Sequence, residues 1–298
     1  MDIPFSNLPA QTTINLRADA YGKAALQLSR LAAMTTRCVL DQAYGTEAFR
    51  RLDIYMPPEA PAKPLPVFVN FHGGGFTWGY KEWMGLNAPA ITAFPAIYVT
   101  ADYRLVASGT NPLALMREQL EDVAAAVAWV HRNIARFGGD PERIHIGGHS
   151  AGARLSALLA VRSDVQRTHG IEGKIRSCFP VSGSYDDREP EVYGEKPRAN
   201  ADETPADLLK AIAPLAHVEG CRIPFFLSWG ENDNTGTKSS SPAFALALRR
   251  AGCRAEGYMF PLFDHFWIHI DQQRETNRWT RTLKAWMTGD AQTAAVAS

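Results

Sequence analysis

From about residue 48 onward, short runs of β-branched and aromatic residues alternate with helical segments, and this alternation constrains the fold more than any other feature of the chain. It is the pattern of a largely parallel sheet with helices on both faces. FRRLDIYMP reads as a half-buried strand, LPVFVNF (65–71) as a buried one and AIYVTADY (96–103) as a third. Between 114 and 137, Met116, Leu120, Val123, Val127, Val130 and Ile134 recur at steps of four and three, so one apolar stripe runs along a helix that Gly138 and Gly139 end. RIHIGG (143–148), IRSCFPVSG, IPFFLSWG and AEGYMF supply further strands, with ARLSALLAV, FALALRRAG and ETNRWTRTLKAWM as helices.

All 298 residues are expected to form one α/β domain. Residues 1–45 read as polar-helical, a lid or flank over whatever the sheet presents, and the charged, breaker-rich stretch 184–220 as an excursion near the site. AQTAAVAS reads as a frayed tail. Lys and Arg number 31, as do Asp and Glu, so bulk electrostatics do not favour a nucleic acid or an anionic membrane face as partner. No run approaches the roughly 18 apolar residues that span a bilayer. The opening residues show no basic stretch followed by an apolar one, so a cytoplasmic protein is expected. Cys38, Cys178, Cys221 and Cys253 have neither C-x-x-C nor zinc-ribbon spacing and read as reduced thiols.

Chemistry concentrates where a strand feeds straight into a helix. Gly148-His149-Ser150-Ala151-Gly152 fits G-x-S-x-G, and a strand-to-helix junction forces a tight turn that exposes the serine oxygen. Ala151 can then offer its backbone N–H to an oxyanion at the helix start. His72-Gly73-Gly74-Gly75-Phe76 follows LPVFVNF directly, and three successive glycines let main-chain N–H groups point into a site without Cβ obstruction, as a second set of oxyanion donors requires. His72 is expected to brace this loop by hydrogen bonding. A serine nucleophile needs a base, and the base an orienting acid. His265, in PLFDHFW after AEGYMF, is the candidate base; Asp233, in GENDN after IPFFLSWG, is the preferred acid, with Glu231 the alternative. Asp264 reads as a loop-stabilising carboxylate. His145 and His149 are four apart, but the β character of RIHIGG argues against a metal pair, and no HExxH exists.

Taken together, HGGGF, DYRL (102–105), FGGDPERIHIGGHSAGARL (137–155), GENDN and DHF resemble the α/β-hydrolase superfamily, specifically hormone-sensitive-lipase-like esterases and their kynurenine formamidase relatives, over roughly residues 48–288. The resemblance implies an α/β-hydrolase fold, with a mostly parallel central sheet of about eight strands, Ser150 as nucleophile, Asp233 and His265 completing a triad, and Gly73, Gly74 and Ala151 as the oxyanion hole. Relatives commonly form homodimers, so a homodimer is an implied assembly. The esterase branch usually places an acidic residue before the serine and a DYRLAPE run, where this chain has His149 and DYRLVAS; a G-H-S-A-G turn is more similar to the formamidase side.

The expected partner is a small-molecule ester or, alternatively, an amide such as an aryl-formamide, with no nucleic acid, membrane, metal or organic cofactor. Phe76, Trp78, Trp83, Trp229, Phe266 and Trp267 fall in or beside the loops of interest, where ordinary core packing competes with walling an apolar pocket. Phe76, Trp78, Trp229 and Phe266, together with His149, are the candidate substrate contacts. A non-catalytic small-molecule receptor on this scaffold would most simply lack a triad member, and here all three are present.

Overall fold

Among the described residues, eight strands build one sheet. The computed structural model describes residues 4–11, 15–107, 110–111, 113–186 and 206–289. Most of the expected excursion (187–205) and the expected frayed tail lie outside the described residues. The strands are β1 (Arg37–Ala43), β2 (Arg51–Met56), β3 (Leu65–Phe71), β4 (Ile97–Ala101), β5 (Gly139–His149), β6 (Ile175–Val181), β7 (Phe225–Asn232) and β8 (Ala255–Asp264). They lie side by side in the order β1-β2-β4-β3-β5-β6-β7-β8; β1 and β2 pair antiparallel, as do β2 and β4, and every pairing from β4 through β3 to β8 is parallel.

Parallel strands need helical crossovers, which bury both faces of the sheet. β3 and β4 are accordingly buried along their whole length. Alternate residues serve opposite layers. Val67, Val69, Ile144, Ile146 and Leu227 pack under α3 (Met116–Asn133), α4 (Ala151–Val161) and α7 (Thr235–Arg250), the short α5 (Ser163–Thr168) and α6 (Ala206–Ile212) lying between the last two in the chain, whereas Phe68, Tyr98, Phe179 and Phe226 pack against α1 (Leu16–Thr35), α2 (Ala88–Thr92) and α9 (Arg278–Thr288). Each fully buried Val, Leu or Phe contributes about 1.5–3 kcal/mol. The stripe from Met116 to Ile134 is buried throughout, and Gly138, at φ +86°, ends the segment in the left-handed conformation that glycine tolerates best.

Two elements depart from the sequence reading. The polar-helical character stops at Thr35, and RCVLDQA forms the edge strand β1, whose Cys38 and Leu40 are half-buried against the core while alternate residues face out. A short helix, α8 (Trp267–Asp271), stands between the last strand and α9. Among the described residues no helix is long and apolar enough to cross a membrane. The C-terminal ends of β3, β5, β7 and β8 lead into the glycine loop, Ser150, Asp233 and His265 respectively, and the crevice outside the carboxyl ends of parallel strands is where such sheets take ligands.

Candidate active site

β5 ends at His149 and α4 begins at Ala151, so the chain must reverse within Ser150 alone. Its φ of 55° and ψ of −113° are rare for a residue with a side chain and are held by the Ser150 N–H donating to the Val181 carbonyl (2.8 Å). The turn also requires α4 to start almost in contact with β3. A Cβ on Gly152 would lie 2.2 Å from the Phe71 carbonyl oxygen. Ala151 occupies the first position of α4, whose opening N–H groups have no acceptor within the helix.

The glycine loop abuts this turn: a Cβ on Gly73 would come 3.0 Å from the Ser150 Cβ. His72 Nδ1–H donates to the Gly73 carbonyl (2.7 Å), and a trans peptide then directs the Gly74 N–H the opposite way. Gly74 has φ +118°, and any Cβ there would sit 2.0 Å from the Trp78 carbonyl oxygen. Behind the loop, Tyr103 of DYRL stacks on the His72 ring at 4.4 Å and donates to the His72 carbonyl (2.9 Å). Asp102 accepts from the Lys81 amide (2.7 Å). Burial pushes His72 down to about 4, which keeps it a neutral brace.

His265 lies in the turn between β8 and α8. Its Nε2 is 2.9 Å from Ser150 Oγ, and its Nδ1 is 2.7 Å from Asp233 Oδ1. A carboxylate only accepts, so Nδ1 carries the proton and Nε2 is free to accept from the serine hydroxyl, the tautomer a general base needs. Asp233 also accepts from the Ser182 hydroxyl (2.5 Å) and the Asn234 amide (2.8 Å). Burial alone would raise its carboxyl; the hydrogen bond and charge of His265, then Ser182 and Asn234, outweigh it and hold the group below its ordinary range. Glu231 is exposed and accepts instead from the Leu262 amide (2.8 Å), so the acid beside the imidazole is Asp233. Asp264 caps α8 by accepting from the amides of Phe266 (3.0 Å) and Trp267 (2.8 Å).

The candidate substrate contacts divide. Phe266 is half-buried and stands edge-on to the His265 ring at 5.2 Å. Trp78 is half-buried beside Gly75. Phe76 is 1% exposed and packs into the main core; its carbonyl takes the Val106 amide and the Gln119 side chain, which fix its φ at +70°. Trp229 lays its ring back over Gly257 of β8, against the sheet. His149 is 1% exposed, and its Nε2 is 2.7 Å from the His265 carbonyl oxygen. Sequence reasoning passed over Ser182, Tyr21, Asn87 and His269, all of which join the site's hydrogen bonds. Among the described residues no cluster of His, Cys, Asp and Glu could hold a metal ion.

A sequence model of the carboxylesterase family matches residues 10–185, more than half of the chain, taking in both the glycine loop and the serine turn. The chain belongs to the carboxylesterase family. A model of the prolyl oligopeptidase family also matches this carboxylesterase-family chain, over residues 114–293, which hold the serine, acid and base. Esterase LipQ of Mycobacterium tuberculosis is 32% identical over 77% of this chain and 56% of its own length. A probable isoprenylcysteine alpha-carbonyl methylesterase of Arabidopsis thaliana, ICMEL2, is 32% identical over 54% of this chain and 38% of its own length. The chain thus spans about half, or less, of these relatives. A Pyrobaculum calidifontis esterase superposes with a TM-score of 0.71 over 93% of this chain and 94% of that one, at 21% identity. Thermogutta terrifontis esterase 2, phosphonylated by sarin, gives 0.69 over 86% and 95%, at 20% identity. The carboxylesterase-family chain has the α/β-hydrolase fold.

Proposed function

We propose that this protein is a serine hydrolase that cleaves a small carboxylic ester through an acyl-enzyme. The observation that carries the reading is the single imidazole bridging Ser150 Oγ and Asp233 Oδ1 at 2.9 and 2.7 Å. Ser150 attacks the carbonyl carbon while His265 takes its proton; the tetrahedral oxyanion rests on the N–H groups of Gly73, Gly74 and Ala151. His265 returns the proton to the leaving alcohol as the C–O bond breaks, and water, activated by the same base, releases the acid. Asp233 fixes the imidazole tautomer and stabilises the imidazolium. The esterase names of the relatives support an ester as substrate. The His149 of the G-H-S-A-G turn favours, as a second reading, an aryl-formamide.

Paired rates on p-nitrophenyl acetate and butyrate against N-formylkynurenine, for wild type and Ser150→Ala, test both. Serine-dependent ester turnover with negligible formamide cleavage is expected, and a large formamide preference would reverse the ranking. Normal turnover by Ser150→Ala would remove the nucleophile assignment. Cytoplasmic residence and a homodimer belong to the same proposal, checked by fractionation and light scattering.

A further inference from the structure

Three consecutive residues of the loop that carries His265 are held from one face of α1. Arg17 and Tyr21 are four apart and so project from the same side of the helix. Arg17 pairs with Asp264 (2.5 Å), although its exposure leaves that ion pair little energetic weight. The Tyr21 ring packs on Phe266 at 5.1 Å. Between these two, the His265 carbonyl receives the His149 ring, which Tyr21 in turn contacts.

With the Asn87 and Gln272 amides oriented as the structure places them, the donors and acceptors in this buried group run in one direction. A carbonyl oxygen only accepts, so His149 Nε2 carries the proton shared with His265 O (2.7 Å). In the neutral ring His149 Nδ1 is then an acceptor, facing the Tyr21 hydroxyl at 3.4 Å. At the other end, the Asn87 amide nitrogen faces Gln272 Oε1 (3.4 Å), an acceptor, and His269 Nε2 (3.2 Å). His269 Nε2 therefore accepts and its Nδ1 bears the proton, which it donates to the Tyr21 oxygen (2.9 Å). The chain runs Asn87 to His269 to Tyr21 to His149 to the backbone of His265, every link between uncharged groups. Burial, followed by the neighbouring imidazole, lowers His149 to about 3 and His269 well below its ordinary value, in keeping with two neutral rings.

We infer that Tyr21 is a positioning residue for the proposed base: through His149 it fixes the backbone carbonyl of His265 and so aims the imidazole at Ser150. This rests on the serine-hydrolase reading and makes α1 part of the reaction machinery as well as a flank. The base loop has its own anchor in Asp233, but that bond constrains the imidazole alone; the carbonyl bond constrains the backbone from which the ring hangs. Misplacement of a reacting group by about 1 Å costs up to about 100-fold in rate, so loosening the His265 carbonyl while the other anchors remain is expected to cost about tenfold.

Tyr21→Phe deletes the hydroxyl while keeping the ring on Phe266 and Trp83. Serines are first counted by stoichiometric reaction with a p-nitrophenyl phosphate triester, and p-nitrophenyl butyrate turnover is then expressed per titrated site. The expected result is a kcat about tenfold lower with KM within twofold of wild type. His149→Gln, which keeps an N–H able to reach the His265 carbonyl, is expected to recover most of the kcat that His149→Leu loses. Wild-type kcat per site in Tyr21→Phe would overturn the inference, as would a lowered melting temperature with kcat intact. A raised KM at constant kcat would move Tyr21 to substrate contact and overturn it too. A wild type with no titratable serine and no ester turnover would remove the serine-hydrolase reading itself, and this inference with it.

Discussion

Around Ser150 the contacts run backbone to backbone, whereas around His265 they run through side chains between residues as distant in the chain as Tyr21 and His269. Ser150, the proposed nucleophile, is positioned by a positive φ, by a glycine pressed against the end of β3 and by a main-chain bond to β6. His265, the proposed base, is held by Asp233, by His149 and, through it, by α1. One half of the site is thus a property of the sheet's centre and tolerates almost no added atom. The other is a network at its β8 edge, where a change removes a bond without forcing the backbone to move.

The contrast is sharpest at the acid. Asp233→Asn leaves the shape intact but favours the wrong imidazole tautomer, and a loss of about 10⁴-fold in kcat on p-nitrophenyl butyrate is expected, with melting little changed. On the nucleophile side the order is inverted. Gly152→Ala places a methyl against the Phe71 carbonyl, and a loss of about 3 kcal/mol in urea unfolding is expected, with activity falling because the fold does. Full stability in Gly152→Ala would break the comparison.

Acid separates the two halves less strongly, because each contains buried neutral histidines. Burial lowers His72 to about 4 and His145 and His149 to about 3, and lowers His269 as well. These rings take up a proton near pH 6.5 only on unfolding, so the stability they contribute is full above that value and is lost as pH falls towards 4, by up to about 1.4 kcal/mol per ring per pH unit. Asp53 and Asp102 oppose them: burial raises Asp53 to about 7 and Asp102 well above the usual carboxylate range, so their contribution is lost as pH rises towards those values. Four rings outweigh two carboxyls, and the melting temperature is expected to fall between pH 6.5 and 5; an unchanged one would mean that the rings ionise in the folded state. Smallest of all, Glu231→Gln is expected to keep kcat within about twofold, since its carboxylate meets the Leu262 amide and not the imidazole.

What was legible in the sequence follows the same division. The helix stripe from Met116 to Ile134, the strand before His72 and the junction at Ser150 are local patterns, and they appear in the structure where the periodicity and glycines put them. The choice between Asp233 and Glu231 was not local. It depends on β7 ending in an exposed stretch, with its register to β8 shifted between Gly230 and Asn232, so that Glu231 turns outward while Asp233 stands just beyond the strand at the start of α7. Ser182, Asn87, Tyr21 and His269 are ordinary residues in their own neighbourhoods, and their partners lie 51 to 248 positions away. Aromatic composition near a loop was a poor guide to where a ring points: Phe76 turns into the core and Trp229 back over the sheet, because strand alternation and a positive φ decide direction.

The clasp between α1 and the His265 loop joins residues 247 and 248 positions apart, Arg17 to Asp264 and Tyr21 to His269. During synthesis α1, the glycine loop and the serine turn leave the ribosome in that order and well before the proposed base, at about 5–20 residues per second. A nascent chain stopped before His265 therefore carries a sharply turned serine with nothing to take its proton. On the serine-hydrolase reading, reactivity waits until β8 closes against α1, so the growing polypeptide is chemically quiet up to that point.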